Sequence, residues 1–159
     1  MPPLRVVAVV GPGSDISDDL AALAHEIGTL LAQRGIVVVT GGLGGVMAAA
    51  ACGASEAGGL VIGLLPGDDR TDANTDLTVA IPTGLGQARN ALVVGAADGV
   101  IAVGGSWGTL SEIALAGRAG KPVVCLRGWH VFDADDQPVP LVVARSPTEA
   151  VEQLLSRLS

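Results

Sequence analysis

Gly104-Gly105-Ser106-Trp107-Gly108-Thr109-Leu110-Ser111-Glu112 places bare backbone, small hydroxyls and a carboxylate within one short segment. The apolar run Gly99–Val103 before it reads as a buried strand, and Leu110–Ala119 after it reads as a helix. A chain that passes from strand to helix through glycines turns unobstructed N–H groups outward at a helix N-terminus, which holds a phosphate or another anion. Glu112 lies three residues past Thr109 and faces the same mouth. The pair also has the spacing of a capping box, so a purely local role competes with a functional one. A second glycine loop, Gly41-Gly42-Leu43-Gly44-Gly45 with Met47 behind it, follows another strand-like run. Gly11-Pro12-Gly13-Ser14 follows a third.

These loops need a scaffold that aims them together, and the order of elements supplies one. Arg5–Val10 is β-branched and short, and Asp18–Arg34 carries Leu20, Leu23, Ala24, Ile27, Leu30 and Leu31 at helical spacing. Ile36–Val39 reads as a strand, Val46–Ala57 as a helix and Leu60–Leu65 as a strand, before the polar loop Gly67–Asp76. Leu77–Pro82 reads as a strand, Gln87–Ala96 as a helix, Gly99–Val103 as a strand and Thr109–Ala119 as a helix. Pro122–Leu126, a further strand at Leu141–Ala144 and a closing helix at Thr148–Leu158 complete the series. Strands separated by helices pair in parallel through right-handed crossovers. The expected fold is therefore α/β, a single doubly wound, mostly parallel sheet with helices on both faces, as one Rossmann-like domain over 1–159. Ligands of such sheets sit beyond the carboxyl ends of the strands, where the strand order reverses. Most of the glycine clusters fall there.

Composition excludes several classes. Hydrophobic residues make up 49% and charged residues 16%, which fits strands buried on both faces. A net charge of −7, with arginines scattered and Lys121 the only lysine, argues against a nucleic-acid surface. The uncharged stretch Gly35–Ser55 is interrupted by glycines and changes period midway, so no membrane span is expected. Met1-Pro2-Pro3-Leu4-Arg5 lacks the layout of a signal peptide. Cys52 and Cys125 lie in apolar surroundings without CxxC spacing or a neighbouring histidine, which reads as free thiols in a reducing cytoplasm. His25 and His130 have no partners at ligand spacing, so no metal site and no resident cofactor are expected. A dinucleotide fingerprint fails because Ile16 stands at its third glycine and no acid follows Val39-Thr40. There is no Walker loop, and no serine occupies a nucleophile elbow.

The two loops, taken with Arg89, resemble the LOG-like superfamily. That group includes cytokinin-activating nucleoside monophosphate phosphoribohydrolases, often mislabelled lysine decarboxylases, and molybdenum cofactor carrier proteins. The pattern Gly-Gly-Gly-x-x-Gly-Leu-Met-Gly is met by Thr40 to Ala48, and Pro-Gly-Gly-x-Gly-Thr-x-x-Glu by Gly104 to Glu112. Arg89-Asn90 stands where the hydrolases carry an Arg-Lys pair. The resemblance spans Arg5 to Leu126, and the departures at Thr40, Ala48, Asn90, Gly104 and Ser106 bring the chain closer to the carrier-like branch.

The resemblance implies a small phosphorylated ligand of nucleotide or pterin type. Gly11, Gly13, Ser14, Gly41, Gly42, Gly44, Gly45, Met47, Gly105, Ser106, Gly108 and Thr109 would bind it. Arg89 would hold the phosphate or ribose through charge-assisted bonds, and Glu112 would steady an oxocarbenium-like transition state or orient water. Arg89 and Glu112 are the catalytic candidates, and a structural salt bridge between them is the competing reading. Trp107 stacks on a base or pterin, anchors a subunit contact, or simply packs. Three functions stay open: a nucleoside monophosphate hydrolase, a non-catalytic carrier or sensor, and an assembly protein whose loops are only turns. The apolar helices Val46–Ala57 and Gln87–Ala96 predict a homodimer or higher homo-oligomer.

Overall fold

Short β-branched runs give the strands of this protein, and alanine- and leucine-rich runs give its helices. The computed structural model describes residues 1–158. The order is β1 (Val6–Val10), α1 (Asp18–Gln33), β2 (Val37–Thr40), α2 (Gly45–Glu56), β3 (Val61–Leu65) and β4 (Val79–Pro82). A 3-10 turn at Gly86–Ala88 leads into α3 (Arg89–Ala96), β5 (Gly99–Val103), α4 (Trp107–Arg118), β6 (Val123–Leu126), β7 (Val142–Ala144) and α5 (Pro147–Leu155). All the expected elements are present, with shifted ends. The helix expected over Gln87–Ala96 opens as the 3-10 turn, β4 is two residues shorter than Leu77–Pro82, and α5 stops at Leu155 rather than Leu158.

Among the described residues seven strands form one sheet in the order β4-β3-β2-β1-β5-β6-β7, and each pair of neighbouring strands in it is parallel. Strand alternation sends Val7 and Val9 to one face and Ala8 and Val10 to the other. The first face is covered by α1, α2 and α5, and the second by α3 and α4. After β1 the chain winds outward through β2, β3 and β4, then returns to lay β5 against the other side of β1. That reversal separates the loops after β1 and β5 and opens a crevice at their carboxyl ends.

Local chemistry fixes the helix ends. Ser17 caps α1 by accepting from the Leu20 N–H at 3.1 Å, and Asp18 and Asp19 sit in its first turn against the positive dipole end. α4 begins at Trp107, with Ser106 as its cap, so the competing capping-box reading of Thr109 and Glu112 does not hold. α2 is apolar all round because neighbours inside the chain enclose it. A Cβ on Gly28 would lie 2.0 Å from the Ala50 carbonyl oxygen, and one on Gly53 would lie 1.9 Å from that of His25. With the sheet on one side and α1 on another, no residue from Val46 to Ala54 is exposed. The apolar character of α2 therefore does not call for a second subunit.

Candidate functional site

A cavity of about 250 Å³ opens at the carboxyl ends of β1, β2 and β5. From the first loop it is lined by Gly11 and Gly13, from the second by Gly41, Leu43 and Met47, and from the α4 end by Ser106, Gly108, Thr109 and Glu112. Gln87, Arg89 and Asn90 close it from the β4–α3 side, with Val10 behind. Two helix N-termini border it, and the α2 terminus has no side-chain cap. Both direct partial positive charge toward the cavity. At α4 the Ser106 hydroxyl accepts from the Thr109 N–H at 3.2 Å. That leaves the Trp107 and Gly108 amides, rather than Thr109, for an anion.

The glycines serve two different ends. A Cβ on Gly108 would meet nothing nearer than 3.9 Å, so this position faces open cavity. The others are needed where loops cross. A Cβ on Gly11 would lie 2.3 Å from the Val103 carbonyl oxygen, and one on Gly45, whose φ is +59°, would lie 2.2 Å from that of Pro12. Gly41 leaves room for Arg89, whose Nη2 would be 2.6 Å from an added Cβ. Asn74 braces the second loop from the polar segment after β3, its N–H donating to the Gly42 carbonyl at 2.9 Å and its amide to that of Leu43 at 3.0 Å.

Arg89 is buried and held by three acceptors. Nε donates to the Leu64 carbonyl at 3.0 Å, Nη2 to that of Gly41 at 3.4 Å and Nη1 to Asn90 Oδ1. Asn90 in turn donates to Ser111 Oγ at 3.2 Å, tying α3 to α4. No ion pair forms between Arg89 and Glu112; among the described residues the one pair within salt-bridge distance is His25–Glu56. The competing salt-bridge reading is thereby set aside. Glu112 is 8% exposed, and burial pushes its carboxyl up to about 7, with the Arg89 charge opposing. A carboxyl that titrates near neutrality can hold or release a proton under ordinary conditions.

The fold thus brings Arg89, Glu112, Gly11, Gly13, Gly41, Met47, Ser106, Gly108 and Thr109 to one cavity. Ser14, Gly42, Gly44, Gly45 and Gly105 lie outside its lining and shape the loops around it. Sequence reasoning missed Val10, Leu43 and Gln87, which carry no chemical signal, and took Asn90 only as a substituted lysine. It also left His25 without partners. Across the α1–α2 contact His25 Nε2 lies 2.8 Å from Glu56, and the Cys52 thiol donates to Glu56 at 3.4 Å.

The model of the SLOG cluster4 family matches residues 4–151. The chain belongs to the SLOG cluster4 family. Its fold is similar to that of the molybdenum cofactor binding protein from the phototrophic bacterium Rippkaea orientalis, with TM-score 0.89, 36% identity and 99% of each chain covered. It is also similar to the molybdenum cofactor carrier protein from Chlamydomonas reinhardtii, with TM-score 0.83 and 35% identity over 98% of this chain and 100% of that one. A cytokinin riboside 5'-monophosphate phosphoribohydrolase from Mycobacterium tuberculosis is 34% identical over 137 residues, 80% of this chain and 73% of the relative. The LOG-like resemblance read from the loop motifs is therefore correct, and this SLOG protein carries the α/β Rossmann-like fold it implies. Among the described residues no helix is long and apolar enough to cross a membrane.

Proposed function

We propose that this SLOG protein is a carrier that binds a small phosphorylated ligand of pterin or nucleotide type. The observation that supports it is the cavity itself, with buried Arg89 at its wall and two helix N-termini bordering it. Backbone amides and one guanidinium suit a phosphate, whose oxygens accept several bonds at once. The volume of about 250 Å³ suits the phosphorylated end of such a ligand, leaving its ring system at the mouth near Ser106 and Gln87. Similarity to a molybdenum cofactor binding protein and a molybdenum cofactor carrier protein along nearly the whole length of both chains favours a pterin cargo.

A second reading rests on one observation. Glu112, raised to about 7 in the same cavity as Arg89, has the placement of an acid–base group for cleaving a nucleoside 5'-monophosphate to base and ribose 5-phosphate. The assembly in this proposal is a homodimer or higher homo-oligomer built on the outer faces of α3 and α4, where Leu92 and Trp107 are exposed. Two free thiols support a cytoplasmic location, and the acidic balance supports a ligand other than nucleic acid.

Titrating the purified chain with nucleoside 5'-monophosphates and with molybdopterin, while assaying released ribose 5-phosphate, separates these readings. Binding without sugar release supports the carrier; release supports the hydrolase. Failure of every phosphorylated ligand to bind overturns both. Glu112→Gln sharpens the contrast. In a hydrolase it lowers kcat by about two decades or more with little change in affinity, whereas in a carrier it leaves binding equal or tighter.

A further inference from the structure

On the α1–α2 surface, beyond the first turns of α2 that border the cavity, three donor atoms of different chemistry converge. His25 projects from α1, and Cys52 and Glu56 project from α2 one helical turn apart. The imidazole Nε2, the thiol Sγ and a carboxylate oxygen all lie within 4.8 Å of one another. We propose that His25, Cys52 and Glu56 form a binding site for a divalent transition-metal ion of the zinc class, with solvent completing its coordination.

The backbone explains why the three meet. Gly53 allows α2 to approach the carbonyl of His25 so closely that a Cβ there would lie 1.9 Å from its oxygen. Thr29 Oγ1 bridges the same two strands of helix backbone, donating toward the carbonyls of His25 at 3.1 Å and Gly53 at 3.2 Å. The close crossing fixes His25 opposite residues 52 and 56, so the donor set is part of the helix packing. Donor atoms around a tetrahedral zinc stand roughly 3.3–3.8 Å apart, given bond lengths of about 2.0–2.3 Å. Side-chain rotation of an ångström or less reaches that spacing.

The donor chemistry selects the metal class. One nitrogen, one sulfur and one oxygen suit a borderline-soft cation and fit calcium or magnesium poorly, since those take oxygen alone. Three protein ligands leave a fourth position open to water. Without a metal, each Glu56 oxygen is engaged by a proton-bearing partner: Oε2 by His25 Nε2 at 2.8 Å and Oε1 by Cys52 Sγ at 3.4 Å. Asp76 adds a second negative charge near the thiol. A bound cation replaces those contacts, and the thiol proton passes to buffer as the Cys52 sulfur becomes a ligand.

Cobalt(II) reads this site directly, because a thiolate bound to it gives a charge-transfer band in the near ultraviolet. The full chain is expected to bind one equivalent, to show that band and to lose it when zinc(II) is added. Cys52→Ser abolishes the band, and Cys125→Ser, altered in buried β6, retains it. His25→Gln and Glu56→Gln each weaken cobalt binding by at least about tenfold, the lower end of what losing an outer-shell partner alone costs. Zinc also raises the melting temperature of the wild type and not of Cys52→Ser, since the ion joins α1 to α2. All three side chains are at least partly exposed, and melting in chelator checks that the variants are folded. Absence of the band in the wild type, its survival in Cys52→Ser, or unchanged affinity in both His25→Gln and Glu56→Gln overturns the proposal.

Discussion

Glu112 places an ionisable cost inside the cavity, and its sign can be read from pH. Its folded value of about 7 stands above the ordinary 4.5, so the native state binds a proton more tightly than the unfolded chain does. The Glu112 contribution to stability therefore falls as pH rises from about 4.5 to 7, and its full cost, about 3 kcal/mol, applies above that window. Glu112→Gln removes the charge and keeps the shape. Chemical denaturation of the unliganded protein is expected to find this variant more stable than wild type at pH 8, with the difference vanishing near pH 4. Equal stability at both values would mean that the carboxylate is well solvated. Gly108 offers a separate test of the cavity. Because an added Cβ there meets nothing nearer than 3.9 Å, Gly108→Val is expected to reduce binding of a nucleoside monophosphate at least about tenfold while leaving the fold nearly as stable. Gly44→Val is a poorer probe, since its Cβ would lie 2.9 Å from the Gly13 carbonyl oxygen and disturb the loop itself.

Two helical glycines with opposite surroundings test how the elements are held. Glycine in a helix interior costs roughly 0.5–1 kcal/mol relative to alanine, so replacing it should help wherever there is space. Gly117 in α4 has nothing within 4 Å of an added Cβ, and Gly117→Ala is expected to stabilise by up to that amount. Gly53 in α2 has a carbonyl oxygen at 1.9 Å, and a backbone atom of another helix cannot step aside alone. Overpacking costs about 1–3 kcal/mol, which outweighs the propensity gain, so Gly53→Ala is expected to destabilise. Urea unfolding of both variants checks the signs. A similar approach at Gly28 makes this contact a long, close one. On the other face, Lys121 Nζ donates to the carbonyls of Val94, Gly95 and Ala97, satisfying the last turn of α3 and holding it to the start of β6.

For the whole molecule, the homo-oligomer proposed above rests on the α3–α4 face. Leu92 is 43% and Trp107 79% exposed, and a groove beside Trp107 is lined by Ala88, Ala91, Ala114 and Leu115 together with the polar Gln87 and Arg118. Trp129 packs against Trp107 at a tilt of 43° with 5.5 Å between centroids, and its indole N–H donates to the carbonyl of Ser106, a residue of the cavity lining. Sedimentation is expected to find a species of at least twice 15.7 kDa, and Leu92→Glu to shift it to the monomer with its fold intact. A wild type that sediments as a monomer at micromolar concentration would remove the assembly from the proposal.

The alternation of β-branched runs with helical periods determined the parallel sheet, because crossover chirality leaves few other arrangements. Glycines at strand ends marked the cavity for the same local reason: they are the residues that permit a tight strand-to-helix turn. Which of them face the cavity was not legible locally. Gly42 and Gly108 look alike in the sequence, yet a Cβ on the first would strike the Leu65 side chain at 2.6 Å while one on the second would meet nothing nearer than 3.9 Å. The elevated carboxyl of Glu112 was equally hidden, since desolvation depends on everything packed around a group rather than on its neighbours in the chain. The apolar pattern of α2 pointed to burial but not to its agent, which is α1 of the same chain. His25 and Cys52 stand 27 positions apart and share no motif, so only the glycine-mediated crossing of two helices brought them together. Sequence patterns carry what backbone geometry imposes locally; contacts between distant elements are decided by how their surfaces fit, and that is a property of the folded chain.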